Sequence, residues 1–437
     1  MGRGRGLVLG LVVLVGLVAT GCGPGDEPSS GPGVDPGPTQ PGPAPEPNLP
    51  EPTPTPTEQV PAPPSAESAL TRAVWVHLFD DSLKTREAIR GVVADLVSAG
   101  ATAVVAEVVR RHDAYYRSEV LPRTADPALE PGLDVLEALL EEGHAAGLEV
   151  HAWVPVAPTW HASYADLPAP DGWVTADHGV SAPEADRWVT RTVDGTWDEY
   201  LDPALPEVRE HLAEVVGEIA SRYAVDGIHL DYVRYASERH GYHPRAIALY
   251  QAQTGAIEVP EPQDPSWSQW RREQVDALLL AARDAIRAGE RSPLLSAAVI
   301  SWGEGPGGAG TASFADTRAY REALQDWEGW ARSGLVDVLM PMNYFREAEP
   351  DQAAWLRTWL TYQVQLGGRT GTRIVPGVAG YLNSPTDALT QVRLAVQHGG
   401  AVAMYSYQGS TAEPGRALWG DLAVTGWGEV SAGVGAG

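Results

Sequence analysis

The stretch VDGIHLDYVRY, residues 225–235, carries the pattern that decides the fold. A short apolar run starts at Gly227 and ends at Asp231, and Arg234 follows between two tyrosines. Apolar runs of about four to eight residues with turn signals at both ends are typical of strands that are buried on both faces. The sequence therefore predicts a core strand that terminates in a carboxylate.

Similar apolar runs are spaced along the chain on both sides of this one. They are residues 72–78 (RAVWVHL), 103–109 (AVVAEVV), 149–156 (EVHAWVPV), 294–302 (LLSAAVISW), 336–344 (VDVLMPMNY), 373–380 (RIVPGVAG) and 401–407 (AVAMYSY). Amphipathic stretches with the period of a helix separate them, for example Ile89, Val92, Val93, Leu96 and Val97, or Val208, Leu212, Val215, Val216 and Ile219. Glycines that suit a left-handed cap end several of these stretches: Gly100, Gly147, Gly334, Gly399 and Gly400.

Strands that alternate with helices run parallel, and eight such units predict a closed (β/α)8 TIM barrel. The alternative is an open, doubly wound sheet. That fold usually has a glycine-rich turn after its first strand, whereas the segment FDDSLK after Leu78 contains no glycine. We therefore expect a single barrel over residues 71–437.

The composition excludes some partners and favours others. The 437 residues include 57 acidic and 31 basic side chains, so the formal net charge is −26. Repulsion between like charges argues against a nucleic-acid partner and favours a neutral or cationic substrate. The chain has 15 Trp and only 3 Phe, and an indole, besides filling cores, offers a flat apolar face with one polar N–H that suits sugars.

Residues 1–21 have the organisation of a lipoprotein-type signal peptide. Arg3 and Arg5 precede the apolar run of residues 7–19, and small residues then lead to Cys22, the single cysteine of the sequence. This pattern resembles the bacterial lipoprotein signal, although a cysteine at that position by accident is the alternative. We therefore predict lipidation of Cys22, attachment to a membrane through this N-terminal lipid anchor, and a location in the bacterial cell envelope. Residues 22–70 are rich in Pro and Gly, which is typical of a disordered linker.

Active sites of such barrels lie at the C-terminal ends of the strands, which is where Asp231 stands. The same criterion selects further side chains that we expect around one mouth: Glu107, Asp113, Tyr116, His151, Trp153, Asn343, Tyr344, Arg346, Tyr381, Tyr405 and Tyr407. The long segment 159–206 after the third strand adds aromatic residues that we expect to form stacking platforms: Trp160, Trp173, Trp188, Trp197 and Tyr200.

Two carboxyl groups cleave a glycosidic bond, one by protonating the leaving oxygen and the other by attacking the anomeric carbon or activating water. We assign the second role to Asp231, which Arg234 and neighbouring tyrosine hydroxyls would keep ionised. Glu107 is the first choice for the acid, because an apolar strand raises the pKa of a carboxyl group.

Other assignments of these carboxyl groups remain open at this point. Three further residues are alternatives for the acid: Asp113, Glu304 and Glu347. Glu107 is instead a structural residue if it forms a buried ion pair with Arg110, Arg111 or Arg234. Asp231 is structural if it caps the next helix or pairs with Arg234.

The sequence resembles the glycosyl hydrolase-like 10 family over almost all of residues 72–408. The motifs that carry the resemblance are RAVWVH, HDAYYRSEVLP, GLEVHAWV, LDPALPEVREH, VDGIHLDYVRY, WRREQVDALL and VDVLMPMNY, in this order. The resemblance implies a barrel of the bacterial envelope that hydrolyses carbohydrate, with cell-wall glycan or another polysaccharide as its substrate. It also implies that several residues match the family's motifs: Asp113, Tyr116, His151, Trp153, Asp226, Gly227, His229 and Asp231.

Two positions depart from the family's pattern. Glu107 stands where the family commonly has Gln, and Tyr232 stands where many members have a second Asp. The first departure weakens the assignment of Glu107 as the family's acid, and the second removes one alternative carboxylate. We predict that the substrate is bound by Asp113, Tyr116, His151, Trp153, His229, Arg234, Asn343, Tyr344 and Tyr405.

Two rival classes of function also fit parts of the sequence. A metal-dependent barrel hydrolase is one, with ligands from His77, His151, His229 and Asp231. The H-x-H pair expected on the first strand of such an enzyme is missing because Trp75 takes one of its places, so we predict neither a metal nor a cofactor. The other rival is an envelope lipoprotein that binds glycan without cutting it.

Overall fold

Eight parallel strands pair side by side into a closed ring. Their bounds are β1 Arg72–Val76, β2 Ala103–Glu107, β3 Glu149–Pro155, β4 Gly227–Asp231, β5 Leu294–Ile300, β6 Val338–Asn343, β7 Arg373–Ile374 with Gly377–Ala379, and β8 Val402–Tyr405. Each strand pairs with the next, and β8 closes the ring on β1 with Ala403 beside Ala73. The (β/α)8 TIM barrel predicted from the sequence is confirmed, and the open sheet is excluded.

This computed structural model describes residues 70–159, 167–170, 172–411 and 416–427. Ser65–Gly437 form the unit that contains the barrel. The predicted signal peptide, Cys22, almost all of the linker and Trp160 lie outside the described residues. Among the described residues no helix is both long enough and apolar enough to cross a membrane.

Helices surround the ring and connect successive strands. They are α1 Arg86–Ser98, α2 Val135–Ala145, α3 Val174–His178, α4 Pro206–Arg222, α5 Pro244–Thr254, α6 Pro265–Arg287, α7 Arg318–Arg321, α8 Trp327–Ser333, α9 Pro350–Thr370, α10 Pro385–Gly399, α11 Tyr407–Thr411 and α12 Arg416–Thr425. Two antiparallel hairpins extend the loops after β2 and β3. The first pairs Val109–Arg110 with Asp113–Ala114, and the second pairs Val189–Arg191 with Trp197–Leu201.

Helix α1 shows how the sequence specifies these elements. The Thr85 side chain accepts a hydrogen bond from the Ala88 amide at 3.1 Å, which satisfies one of the free N–H groups at the helix start. The predicted apolar positions Ile89, Val92, Val93 and Leu96 are buried on the side that faces the barrel, whereas Val97 is 44% exposed. The face predicted from the period is therefore correct except at its edge.

The interior of the barrel is filled by the side chains that alternate inward along the strands. Trp75 and Trp153 are the bulky members, and small or aliphatic residues surround them: Ala73, Ala103, Val105, Val338, Met340 and Ala403. Gly377 has no side chain because a Cβ there would lie 2.9 Å from the Trp75 ring. This packed interior forms the base on which the mouth of the barrel is built.

One chain of polar contacts crosses this interior. The Trp75 indole N–H donates to His229 Nε2 at 3.1 Å, and His229 Nδ1 lies 2.9 Å from Ser296 Oγ. Because an indole nitrogen can only donate, His229 Nε2 is the acceptor and its proton is carried on Nδ1. Burial, followed by the proximity of His151, lowers the pKa of His229 to about 3, so the ring is neutral.

Candidate active site

The C-terminal ends of β2 and β4 bring two carboxyl groups to the mouth of the barrel. Glu107 is the last residue of β2 and Asp231 the last residue of β4, and both follow the inward-facing alternation of their strands. In the register of the sheet Glu107 lies beside Trp153, and Asp231 lies beside Pro155. Glu107 is 2% exposed and Asp231 is 7% exposed, so both carboxyl groups are largely shielded from water.

The surroundings of Glu107 favour its protonated form. Burial raises its pKa to about 7, the charge of Arg110 and a hydrogen bond from the Leu78 amide oppose the rise, and the negative charges of Asp231 and Asp113 add to it. The Leu78 N–H donates to Glu107 Oε2 at 2.6 Å. A carboxyl group with this pKa retains a proton near neutral pH and can act as an acid.

Asp231 is held by the backbone that follows it. The Tyr232 amide donates to Asp231 Oδ1 at 2.7 Å, and Tyr232 adopts the left-handed conformation with φ of 59°. Burial raises the pKa of Asp231 to about 6, and the Tyr232 amide, Arg234 and Trp153 lower it. Trp153 Nε1 lies near enough to affect this pKa, although it meets no acceptor in hydrogen-bond geometry. A left-handed, non-glycine residue is strained, and such strain is typical of functional sites.

Aromatic side chains surround the two carboxyl groups. Tyr344 and Tyr405 stack with ring centroids 5.3 Å apart, and Tyr381 meets both rings edge-on at 6.4 and 5.8 Å. Trp153 lies 6.3 Å from Tyr405. Burial raises the pKa of Tyr344 and of Tyr405 well above the ordinary value, and the charges of Asp231 and nearby groups add to the rise. These hydroxyls therefore stay protonated and can donate hydrogen bonds to a sugar.

Arg234 follows Asp231 by three residues and contacts two aromatic rings. Its guanidinium is 4.9 Å from the Tyr232 ring centroid and 5.4 Å from that of Trp302. Its Nη1 donates to the Tyr235 carbonyl at 3.1 Å. Among the described residues no carboxylate lies within ion-pair distance of Arg234, so the ion pairs of Arg234 with Glu107 or Asp231, left open from the sequence, are not formed.

Five of the predicted substrate-binding residues are held by other contacts or lie below this mouth. Asp113 forms a buried ion pair with Arg111 at 2.9 Å. Tyr116 packs edge-on against Tyr223, at the end of α4, with ring centroids 5.6 Å apart. Asn343 faces helix α9. His151 and His229 point into the barrel two residues below Trp153 and Asp231, and both are fully buried.

The contacts of Asn343 explain its position. Gln363 Nε2 donates to Asn343 Oδ1 at 2.9 Å, and Asn343 Nδ2 donates back to Gln363 Oε1 at 3.2 Å. The inward residues of β6 include Val338 and Met340, so Asn343, an odd number of residues further on, faces outward. Its amide therefore connects the strand to a helix.

The alternative carboxylates also have other partners. Glu304 accepts hydrogen bonds from the Ala309 and Gly310 amides at 2.9 and 2.8 Å in an exposed loop. Glu347 pairs with Arg357 at 2.7 Å. Of the candidate acids, Glu107 is therefore the one that the fold places at the mouth together with Asp231 and without an ion-pair partner in the described residues.

The tryptophans of the long loop after β3 mostly pack within that loop. Trp188 stacks on His178 with ring centroids 3.8 Å apart, Trp173 donates to the Arg111 carbonyl, and Trp197 lies under Arg187. Among the members of this group that the structure describes, Tyr200 is the one that reaches the mouth, with its ring centroid 6.3 Å from that of Tyr232. The described part of the loop thus contributes the Tyr200 phenol beside the mouth.

Sequence reasoning missed Trp302 and Phe79 as residues of the mouth. Trp302 lies two residues beyond the end of β5, so the strand-end criterion that selected Asp231 would also have selected it. Phe79 is 45% exposed beside Arg110, whose guanidinium lies 4.4 Å from its ring. Its signal is weaker, because it lies three residues beyond the end of β1.

The histidines of the barrel are the candidate metal ligands of the rival, metal-dependent function. Among the described residues no group of three or more His, Cys, Asp and Glu side chains is arranged to hold a metal ion. His229, one of these candidates, uses both ring nitrogens in contacts with Trp75 and Ser296.

Comparison with known sequences supports the resemblance seen in the motifs. The sequence profile of the family described as glycosyl hydrolase-like 10 matches residues 70–385. The glycosyl hydrolase DigH of Escherichia coli K12 is 25% identical over 281 residues, which are 61% of this chain and 60% of that protein. The glycosyl hydrolase YngK of Bacillus subtilis is 26% identical over 262 residues, 57% of this chain and 47% of that protein. The matches thus span about half to three-fifths of the length of these curated relatives.

Solved structures share the barrel. The glycoside hydrolase domain of PgaB (BpsB) from Bordetella bronchiseptica has a TM-score of 0.54 and 14% identity, and the match covers 80% of this chain and 98% of that domain. A β-galactosidase from Rahnella sp. R3 has a TM-score of 0.55 and 14% identity, with 83% and 56% of the two chains covered. At this identity the likeness concerns the fold alone.

Proposed function

Because the chain belongs to the glycosyl hydrolase-like 10 family, we propose that it is an O-glycoside hydrolase whose catalytic residues are Glu107 and Asp231. The observation that carries the proposal is the pair of buried carboxyl groups at one mouth, with pKa values of about 7 and about 6. Two carboxyl groups in unequal surroundings are the arrangement that glycoside hydrolysis requires.

In the proposed reaction Glu107 donates its proton to the glycosidic oxygen as the bond to the anomeric carbon breaks. Asp231, ionised, either attacks the anomeric carbon or removes a proton from the attacking water. If Asp231 attacks, water then hydrolyses the glycosyl ester and gives its proton to Glu107, which restores both carboxyl groups. If Asp231 activates water, it keeps the proton of that water, and proton exchange with solvent returns Asp231 to its ionised form and Glu107 to its protonated form. The protonated hydroxyls of Tyr344 and Tyr405 would orient the sugar, and Trp153 would stack against it.

We propose a polysaccharide as the substrate, with the glycan strands of peptidoglycan as the first candidate. The aromatic wall of the mouth supports a sugar ligand, and the curated relatives carry names of glycosyl hydrolases. We also propose that Cys22 is lipidated and holds the barrel in the bacterial cell envelope, where that glycan is found. This part rests on the sequence pattern of residues 1–22.

The test measures new reducing ends released from peptidoglycan, from peptide-free glycan strands and from a panel of neutral polysaccharides. We expect release by the wild-type protein and almost none by Asp231→Asn or Glu107→Gln. Glu304→Gln is the matched control, because that carboxyl group is bound to loop amides, and it should keep full activity. Equal release by the wild type and Asp231→Asn would remove the assigned role.

A glycan-binding protein without turnover is the second candidate. The observation that favours it is the burial of both carboxyl groups, 2% and 7% exposed, which restricts the approach of a glycosidic bond. If the protein only binds glycan, the wild type and Asp231→Asn should bind glycan strands with equal affinity, and neither should release reducing ends.

A further inference from the structure

The Arg234 guanidinium is buried without a counter-ion. Its side chain is 9% exposed, its Nη1 donates to the Tyr235 carbonyl, and its Nε is buried and has no hydrogen-bond partner. Within the described part of the chain no carboxylate lies at ion-pair distance from it. The buried Arg111 differs, because it pairs with Asp113 at 2.9 Å.

An unpaired buried charge is costly, so a partner is expected from outside the chain. Arg234 lies near enough to Asp231 to lower the pKa of that carboxyl group. The Asp231 carboxylate, however, accepts from the Tyr232 amide at 2.7 Å and does not form an ion pair with the guanidinium. Arg234 therefore retains donor capacity toward a ligand.

The position of Arg234 places this capacity inside the substrate cleft. Its guanidinium lies between the Tyr232 and Trp302 rings, at 4.9 and 5.4 Å. Both rings are half-buried and border the mouth beside Asp231. A planar guanidinium fixed between two aromatic rings is oriented before a ligand arrives, which lowers the entropy cost of binding.

We propose that Arg234 binds a carboxylate of the substrate, so that the glycan is acidic at a sugar next to the cleaved bond. The inference rests on the proposed function and names the chemistry of its substrate. A guanidinium matches a planar carboxylate through two parallel hydrogen bonds. The net charge of −26 favours a neutral or cationic substrate, but the unpaired cation reverses that preference at this one position. The carboxylate is either that of a uronic acid or that of a lactyl ether on an amino sugar.

Arg318 offers a matched control. Its guanidinium lies 5.4 Å from the same Trp302 ring, but it pairs with Glu322 at 2.7 Å. Its charge is already satisfied, so Arg318→Gln should leave recognition of an acidic sugar unchanged.

The experiment measures binding by calorimetry in the Asp231→Asn protein, in which turnover is absent. Three probes are compared: peptide-free peptidoglycan strands with their lactyl carboxylates, the same strands with those carboxylates reduced to alcohols, and oligogalacturonate. We expect one of the two acidic probes to bind about 10- to 100-fold more tightly than the reduced strands, which is the scale of hydrogen bonds to a charged group. Adding Arg234→Gln should remove that difference, whereas adding Arg318→Gln should not.

Several outcomes would overturn the inference. One is a preference for the acidic probe that persists in Arg234→Gln, and another is an equal loss of affinity for acidic and reduced strands. A third outcome concerns the Arg234→Gln enzyme in which Asp231 is intact. If the acidic limb of its pH–rate profile shifts equally for acidic and for reduced strands, and KM is unchanged, then Arg234 acts only on the pKa of Asp231. Binding that depends on Arg234 but is never followed by hydrolysis in the wild type would support the inference and refute the proposed hydrolase.

Discussion

The pH dependence of hydrolysis should report the two carboxyl groups directly. With apparent pKa values of about 6 for Asp231 and about 7 for Glu107, the reactive form has the first group ionised and the second protonated. The fraction of molecules in that form decreases below about pH 6, where Asp231 gains a proton, and above about pH 7, where Glu107 loses one. From these values about 60% of the molecules are reactive at pH 6.5, and about 9% at pH 5 or pH 8.

The assay is kcat/KM for glycan strands, measured from about pH 4.5 to about pH 8.5 at constant ionic strength. Glu107→Gln should lower kcat by about 10²- to 10⁴-fold, which is the usual contribution of a general acid, and should abolish the alkaline limb. The hydrolysis of an aryl glycoside, whose phenolate leaves without protonation, should be slowed much less in this variant, because this leaving group does not need the proton of Glu107.

The control for this prediction is Glu304→Gln, which should retain the bell-shaped profile. An alkaline limb that survives in Glu107→Gln, or an aryl glycoside that loses as much rate as the natural substrate, would refute the acid assignment. A profile without any change between pH 5 and pH 8 would contradict the environment derived for both groups.

Three further substitutions test the structure around the site. Gly227→Ala places a Cβ 2.1 Å from Nδ1 of the buried His151 and should lower the free energy of unfolding, measured in urea, by about 1–3 kcal/mol. The control Gly91→Ala has open space around the new Cβ and should leave the stability unchanged or raise it. Because burial lowers the pKa of His229 to about 3 in the folded state, this residue should contribute a loss of about 1.4 kcal/mol of stability per pH unit as the pH falls from about 6.5 to about 3. His229→Gln should reduce the total slope by that amount, and an unchanged slope would contradict this. Asn343→Ala should destabilise the fold by about 1–3 kcal/mol, because Gln363 loses its partner, yet leave KM unchanged; a raised KM would restore Asn343 as a substrate ligand.

The barrel could be predicted because its signal is repeated along the chain. Each strand is a short apolar run and each helix an amphipathic one, and their alternation admits few topologies. The side chains at the strand ends, Glu107, Trp153, Asp231 and Tyr405, were predicted together because parallel strands of a closed barrel converge at one mouth. The adjoining Tyr344 and Arg234 follow from the same argument.

Other site residues were misplaced because local backbone geometry is not visible in a sequence pattern. Arg111 and His112 adopt φ of 52° and 58°, so the chain reverses there, and Asp113 pairs with Arg111 while Tyr116 packs against Tyr223. Nothing in the motif HDAYYR indicates that turn, which usually requires Asn or Gly. For Asn343 the alternation of β6 did predict the observed position. Asn343 lies three residues after the inward-facing Met340, so its side chain faces outward.

The contacts from Trp75 through His229 to Ser296 have a consequence for how the barrel assembles. They join the first strand to the fourth and fifth, which are not its neighbours in the ring. A half-barrel made of the first four strands would leave the imidazole Nδ1–H without its hydroxyl acceptor. The two halves of the sheet therefore depend on each other through these hydrogen bonds, which need a defined geometry, in addition to the apolar surface that they share.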